Sequence, residues 1–582
     1  MGRREGWRRV AAAAAVVLLT GCATVPTSGP VREHESDGQQ IESGVKVAPV
    51  PPAPDASPML VVEGFLHAMG TDQPGFAVAR QYLTPAAAAA WRPESGTVIY
   101  ANGHQPREAD TGTEERPSII LEAVLTGKLS AAGEYREEGG GNRHDFGLTR
   151  DSAGQWRISR PPEGLLISRY HFQTNYAALD LHYLDATGAV LVPDPRYLAL
   201  NALTPAAVVS AQVAGPAEWL APAVRKAAWP ASIVEGLDLL PQGVAVLRLR
   251  PEAAELADPE RTALMAEFTA TLTLLPQIAG VQFSAGASLL TLPGTSVVTV
   301  TASDVSQYAS ARTGGQLLTV RDQAVRLTDT QGPWREGQQI ARGLSAPGPL
   351  AARADLAEIA AVNPAGTRLA VAKAEDDTET VLWEGERLLR PDYSRQDELW
   401  AIGEGAGAAG FRVFDADRAT IPVTLGPDFP ADAVRAFRLS PDGARIALVM
   451  DGPLLDGASV EQVGVARVVR GADGIAIEAF RPVTVSPPAE AARRIVDVGW
   501  QTATELLVLV SHRATPTASV VEVDQDSARA EDIGPSDVTG LSELAVAPGG
   551  QPVLRGAGAV HRFEGPFNWE LTDLTAEAVT YS

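Results

Sequence analysis

One cysteine, Cys22, stands in 582 residues. If its thiol is consumed, the remaining chain has no disulfide, no thiolate metal site and no cysteine nucleophile. Long apolar runs are missing too. After the first 21 residues no stretch reaches the roughly 18 apolar residues of a membrane-crossing helix. Lysine is scarce, and 71 acidic residues outnumber 48 basic ones, for a net charge of −23. The first 21 residues carry four arginines and Glu5, a net +3, so the rest of the chain carries −26. That balance excludes nucleic-acid binding by phosphate neutralisation and repels anionic headgroups. Nucleotide, zinc-protease and serine-hydrolase signatures (G-x-x-x-x-G-K-[ST], H-E-x-x-H, G-x-S-x-G) are absent.

What the opening does contain is an export pattern. Arg3, Arg4, Arg8 and Arg9 form a basic start, Val10 to Leu19 a short apolar core, and Leu19-Thr20-Gly21-Cys22 matches a bacterial lipobox. The core falls short of the roughly 20 residues needed to span a bilayer. The expected fate is export and cleavage of signal peptide 1–21. Cys22 is the one predicted site residue: it would carry diacylglycerol on sulfur and a fatty acyl group, such as palmitate, on the new amino terminus. The chain would then be lipid-anchored at the extracytoplasmic face of the cell membrane. The alternative is an ordinary signal peptide that happens to end near a cysteine.

Residues 22–56 read as a stalk. A polar run from Glu33 to Ser43 precedes Ala48-Pro49-Val50-Pro51-Pro52-Ala53-Pro54, too polar and proline-rich to build a core. Over residues 57–172 helical spacing (Leu60, Val61, Phe65, Leu66, Met69) comes first. A second helix follows at Phe76–Tyr82, and a third opens at Thr84-Pro85 with Thr84 as cap. Strand-like runs follow at Ser118–Leu125, Gly127–Ala132, Arg143–Arg150 and Gln155–Ile158. Helices then strands predict an α+β domain, and the pattern resembles an NTF2-like cone; no paired acid and base is visible in it.

Residues 173–310 predict an α/β domain. Strands are expected at Ala177–Leu184, Gly188–Leu191, Val244–Leu249 and Val281–Phe283. Helices are expected at Thr204–Val213, stopped by Gly215-Pro216, and at Asp258–Leu274, with Leu264, Phe268, Leu272 and Leu275 on one side. Leu191-Val192-Pro193 with Arg196, Ala214-Gly215-Pro216 and the strand Val244–Leu249 resemble the GerMN domain. That resemblance implies a non-catalytic module binding partners or wall material.

From 311 to 582 helical periodicity disappears. Strand–turn–strand units recur around Asn363-Pro364-Ala365-Gly366, Ser440-Pro441-Asp442-Gly443, Gln501-Thr502-Ala503 and Ala547-Pro548-Gly549-Gly550. Proline presets φ early in such a turn and glycine supplies the positive φ that closes it. Weaker copies are expected at Tyr308–Val320 and Asp397–Val413. About six hairpins at blade-like spacing predict a β-propeller, with the proline–glycine turn, absent only at 501–503, taken to recur at one position within three units. A β-sandwich is the alternative.

Other motifs carry less. Gly405 to Gly410 fits G-x-G-x-x-G, but strand-like Phe411–Phe414 follows it where a dinucleotide site needs a helix N-terminus. The eight histidines (His34, His67, His104, His144, His171, His182, His512, His561) share no ligand spacing. The acid run Glu375-Asp376-Asp377 with Glu379 lacks the glycine punctuation of a calcium loop. Trp334, Trp383 and Trp400 are expected in blade cores. No cofactor, metal or catalytic residue is predicted.

Lipobox, stalk, cone, GerMN-like module and propeller, with the mature start Cys22-Ala23-Thr24-Val25-Pro26 and Ser28-Gly29-Pro30, together resemble the LpqB lipoprotein family of actinobacteria. The resemblance implies a partner role: an accessory regulator of a two-component sensor histidine kinase of the MtrA–MtrB type, touching its extracellular domain and linked to cell-envelope and division control. Two further readings stand beside it. One is a cell-wall polymer binding protein. The other is a glycan-active envelope enzyme with converging carboxylates, about 5–10 Å apart, in the propeller channel.

Overall fold

The computed structural model describes residues 48–582 apart from 72–73, 111, 114, 226–229, 311–314, 331–332, 406–407, 428–429, 456–457, 486–492, 513–516 and 536–537. Residues 1–47, with Cys22, the signal peptide and most of the expected stalk, lie outside them. The last of the proline-rich run is held against the first domain: Tyr82 donates its hydroxyl to the Val50 carbonyl at 2.8 Å.

The first part is α+β. Helix Pro58–Gly70 starts where Ser57 Oγ accepts from the Leu60 N–H, and it buries Val61, Val62, Phe65, Leu66 and Met69. Thr84 caps the helix Pro85–Ala90 as expected, accepting from the Ala87 N–H at 3.2 Å. These helices pack on a sheet whose long strand Ile119–Leu129 is central. The two strands expected at 118–125 and 127–132 are thus one. A bulge at Thr126, between the pairs Tyr100↔Leu125 and Ile99↔Gly127, lets the strand run on. The single strand expected at 143–150 is two, Gly141–Asp145 and Leu148–Arg150, because Gly147 adopts a φ of 49° between them.

The second part is α/β. Val244–Leu249 and Gly280–Ala285 are parallel neighbours joined through helix Asp258–Leu272, the crossover parallel strands require. Leu264, Phe268, Leu272 and Leu275 are all buried in its core. Beside this sheet, Tyr176–Leu184 pairs with Leu191–Ala199. The partner strand expected at 188–191 begins later, because Asp185 accepts from the N–H groups of Ala189 and Val190 and holds that stretch as a turn. Pro193-Asp194-Pro195-Arg196 is therefore strand.

The third part is a six-bladed propeller. Its innermost strands are Ala578–Tyr581, Leu350–Ala352, Asp392–Tyr393, Val434–Leu439, Arg493–Trp500 and Leu541–Ala545, neighbours in a closed ring. The ring is sealed by the chain's last strand, which pairs with Leu317–Arg321 to complete the first blade. Hairpins form at 358–373, 399–414, 434–455, 493–512 and 541–556. Gly366, Gly443 and Gly549 take the positive φ their turns need.

Two expectations fail here. The hairpin expected at 308–320 does not form: Tyr308 packs against the second part's core, and Leu317–Arg321 turns through Asp322-Gln323 to pair with Ala324–Asp329. The proline–glycine turns do not share one position. Those at 440–443 and 547–550 join the first and second strands of a blade, whereas 363–366 joins the second and third. Successive turns of an antiparallel meander lie at opposite ends, which also accounts for the uneven spacing.

Candidate functional site

Two regions gather charged side chains away from solvent. The first is the junction where the propeller meets the other two parts. Arg445 follows the turn Ser440–Gly443 and is 1 % exposed. It pairs with Asp442 and donates to the Pro193 carbonyl of the second part. Asp442 is fixed in turn by Ser440 Oγ at 2.6 Å and the Ala444 N–H at 2.7 Å, and Ala444 is buried in the second part's core. On the receiving strand, Asp194 forms a bidentate pair with Arg196 at 2.6 and 2.8 Å and accepts from the Ala217 N–H at 2.7 Å.

A second contact uses Trp219. Its indole N–H donates to the Ala479 carbonyl at 2.8 Å, its carbonyl accepts from Arg467, and Arg481 lies 4.9 Å over its ring. Arg481 also reaches Glu134 of the first part at 3.3 Å. In the fifth blade the turn 524–528 enters from the other side. Ala528 is buried in the first part's core, and its carbonyl accepts from Arg169 at 3.1 Å. Tyr197 places its hydroxyl 3.2 Å from Asp526 Oδ1 and 3.5 Å from Asp524 Oδ2. A cavity of about 430 Å³ lies among all three parts, lined by Glu134, Arg136, Trp219, Arg481, Gln525 and Asp526 among others.

Three carboxyls at this junction are hard to ionise. Withdrawal from water pushes Asp180 up to about 6, Asp524 to about 6 and Asp526 to about 7, with neighbouring carboxyls adding to each. Deeper in the second part, burial lowers His182 to about 4 and raises Glu267 to about 7.

The other region is the propeller axis. Arg390 donates to the Leu350 carbonyl at 3.3 Å, the Leu544 carbonyl at 3.2 Å and Thr580 Oγ1 at 2.7 Å. Its Nη1 also lies 3.8 Å from Asp497 and 3.5 Å from Glu543. Arg438 holds Asp497 at 3.0 Å, and Arg555 holds Glu543 at 2.7 Å. Asp497 accepts from the N–H groups of Val498 and Leu544, and Glu543 from that of Val579. Converging carboxylates are thus present, as a glycan-cleaving site would require. Both oxygens of Asp497 and Oε2 of Glu543 accept from a guanidinium or a backbone N–H, and Glu543 Oε1 lies 3.5 Å from Arg390; a cavity of about 200 Å³ adjoins them. Burial lowers Arg390 and raises Asp392 beside it.

The remaining candidates fall into place as structural groups. Gly405 pairs with Ala408 inside a hairpin, and Phe411–Phe414 is strand. Glu379 accepts from Ser345 N at 2.9 Å and pairs with Arg368. Trp334, Trp383 and Trp400 are 5 %, 3 % and 0 % exposed. The rings of His67 and His171 lie 5.9 Å apart, and His171 Nδ1 is 3.1 Å from Ser168 Oγ. Among the described residues, no group of three or more His, Cys, Asp or Glu is placed to hold a metal ion, and no helix is long and apolar enough to cross a membrane. Cys22, the one predicted site residue, lies outside the described residues. The sequence reading did not identify Arg390, Arg438, Asp497, Glu543 or the Tyr197–Asp524–Asp526 contact; Pro193 and Arg196, the GerMN-like residues, sit at the junction.

Three family models match this chain: the lipoprotein LpqB N-terminal domain over residues 51–173, the sporulation and spore germination domain over 180–287, and the lipoprotein LpqB beta-propeller domain over 315–570. Similar relatives include lipoprotein LpqB of Cutibacterium acnes, 29 % identical over 98 % of this chain and 99 % of that one. Lipoprotein LpqB of Streptomyces coelicolor is 28 % identical over 94 % and 92 %. That of Mycobacterium ulcerans is 30 % identical over 77 % and 79 %. Among solved structures, a nidogen/laminin complex matches 46 % of this chain and 98 % of its own at 9 % identity and a TM-score of 0.33, a level from which nothing functional transfers.

Proposed function

The chain belongs to the LpqB lipoprotein family, and from that premise we propose that it is a lipid-anchored, extracytoplasmic accessory regulator of a two-component sensor histidine kinase of the MtrA–MtrB type. As a family member it is a membrane-associated lipoprotein. Anchoring through Cys22, the outward face and the kinase partner belong to the proposal. The observation that carries it is the propeller axis. Where a channel enzyme would hold reacting groups, Arg390, Arg438, Asp497, Glu543 and Arg555 pair with one another beside a cavity of about 200 Å³. A propeller whose axial charges are taken up by one another offers its rigidly held loops to a partner. Confinement to the same membrane would raise the effective concentration for a weak contact.

The test is crosslinking in intact cells followed by identification of the attached protein, paired with binding of the purified chain to the kinase's extracytoplasmic domain. The expected result is a kinase adduct that disappears, with membrane attachment, in Cys22→Ala. Blank binding at high protein concentration together with no kinase adduct would overturn the reading.

A further inference from the structure

At the junction two carboxyls converge on one phenol, and Asp526 Oδ1 also accepts from the Ala528 N–H at 3.0 Å. A phenol has one proton, so Tyr197 can donate to Asp526 or to Asp524, but not to both. With both contacts at 3.2 and 3.5 Å, the second is a hydrogen bond only if the other carboxyl is protonated and donates to the phenol oxygen. The guanidiniums nearby are committed: Arg196 to Asp194, Arg445 to Asp442, and Arg481 to Glu134. Arg169 is spent on the Ala528 carbonyl, and Arg529 on Glu531 at 3.0 Å. Among the described residues none of them forms an ion pair with Asp180, Asp524 or Asp526; Arg445 acts on Asp180 and Arg529 on Asp524 only from a distance. We propose that this junction is a proton-dependent latch: the propeller's turn 524–528 docks on the first two parts with a proton shared across Asp524, Tyr197 and Asp526, and it loosens when that proton leaves.

The surroundings reinforce the excess. From the fifth blade, Glu505 is pushed up by burial and by the Glu522 carboxyl beside it. From the second part, Asp180 faces the negative charge of Asp194, Asp442 and Asp524 against Arg445 alone. From the first part, Glu134 lies 3.5 Å from Arg136 and 3.3 Å from Arg481, and Glu137 lines the same cavity. The shifts of Asp524 and Asp526, to about 6 and about 7, have the sign the geometry demands. Carboxyls raised in the docked state stabilise it most below their free values, near 4, and that stabilisation is lost as pH rises through about 6 to 7. Docking therefore tightens as the medium outside the membrane acidifies, whichever partner the protein serves.

Amide hydrogen exchange on the full chain in detergent micelles, corrected for intrinsic rates, tests this. The segments that report are 191–199 and 524–530, read from pH 5.5 to 8. Protection should fall by up to tenfold per pH unit, for the one proton released, until about pH 6 to 7 and level off above it. In Asp526→Asn, which is neutral throughout and can donate, protection should be flat with pH; Asp524→Asn should behave alike. Tyr197→Phe should lose protection at every pH. Flat protection in the unmodified protein, or an unchanged slope in both Asn variants, would overturn the latch.

Discussion

The propeller axis and the junction are both built from arginines and carboxylates, and they solve the burial of charge differently. At the axis Arg390, Arg438 and Arg555 face Asp497 and Glu543, and both oxygens of each carboxylate meet a guanidinium or a backbone N–H. At the junction Asp194 and Asp442 are similarly satisfied, but Asp180, Asp524 and Asp526 have no paired guanidinium among the described residues, and Asp526 meets the Tyr197 hydroxyl and the Ala528 N–H. A balanced cluster is a fastener: its charges pair with one another, and removing one strands the rest. An acid-rich cluster responds to its medium, since protonation is the cheapest relief for a carboxyl without a partner. The fastener ties inner strands of one domain, where nothing should move. The responsive cluster sits between parts.

Replacing one carboxylate with its amide in each cluster would separate the two most sharply. Asp497→Asn puts an amide NH2 against N–H donors that now meet a carboxylate oxygen, and it leaves Arg438 buried without its counter-ion. Breaking a buried pair in this way costs about 3–5 kcal/mol, which denaturant unfolding should register as the largest loss of the series. Asp180→Asn should have the opposite sign at high pH. Ionising Asp180 in place is unfavourable, so its neutral isostere should stabilise the chain by about 2 kcal/mol at pH 8, an effect that shrinks steadily below about pH 6 and vanishes only below about pH 4. Equal destabilisation by both variants would erase the distinction.

How much of this could be read from the chain follows the range of the interactions. Hairpins around Pro441 and Pro548 were legible because proline and glycine fix φ within four residues. Which strands of a blade they join was not, since a hairpin looks the same in either position. Helix Asp258–Leu272 announced itself by its apolar stripe, whereas Leu191–Ala199 was masked by two prolines and displaced by the Asp185 turn. The junction was out of reach. Arg445 stands two residues after a turn the sequence flags, yet its acceptor, Pro193, is 252 residues away. Tyr197 and Asp526 are 329 apart. Nothing local marks an aspartate as surplus; that emerges only when the arginines around it are seen to be taken. Cys22 is the reverse case, wholly local in its motif and outside the described residues.

The smallest effect calibrates the other two. Thr84→Ala removes a cap that belongs to neither cluster: Thr84 Oγ1 accepts from Ala87 N–H at 3.2 Å in the first part. Losing it should cost about 1 kcal/mol. Because a hydroxyl does not titrate in this range, the loss should be the same at pH 5.5 and pH 8 when read by denaturant unfolding. A cap variant whose cost changed with pH would mean that the first part's stability is itself coupled to the junction through Ala528 and Arg169. The Asp180→Asn comparison would then have to be read as the response of two docked parts rather than of one carboxyl.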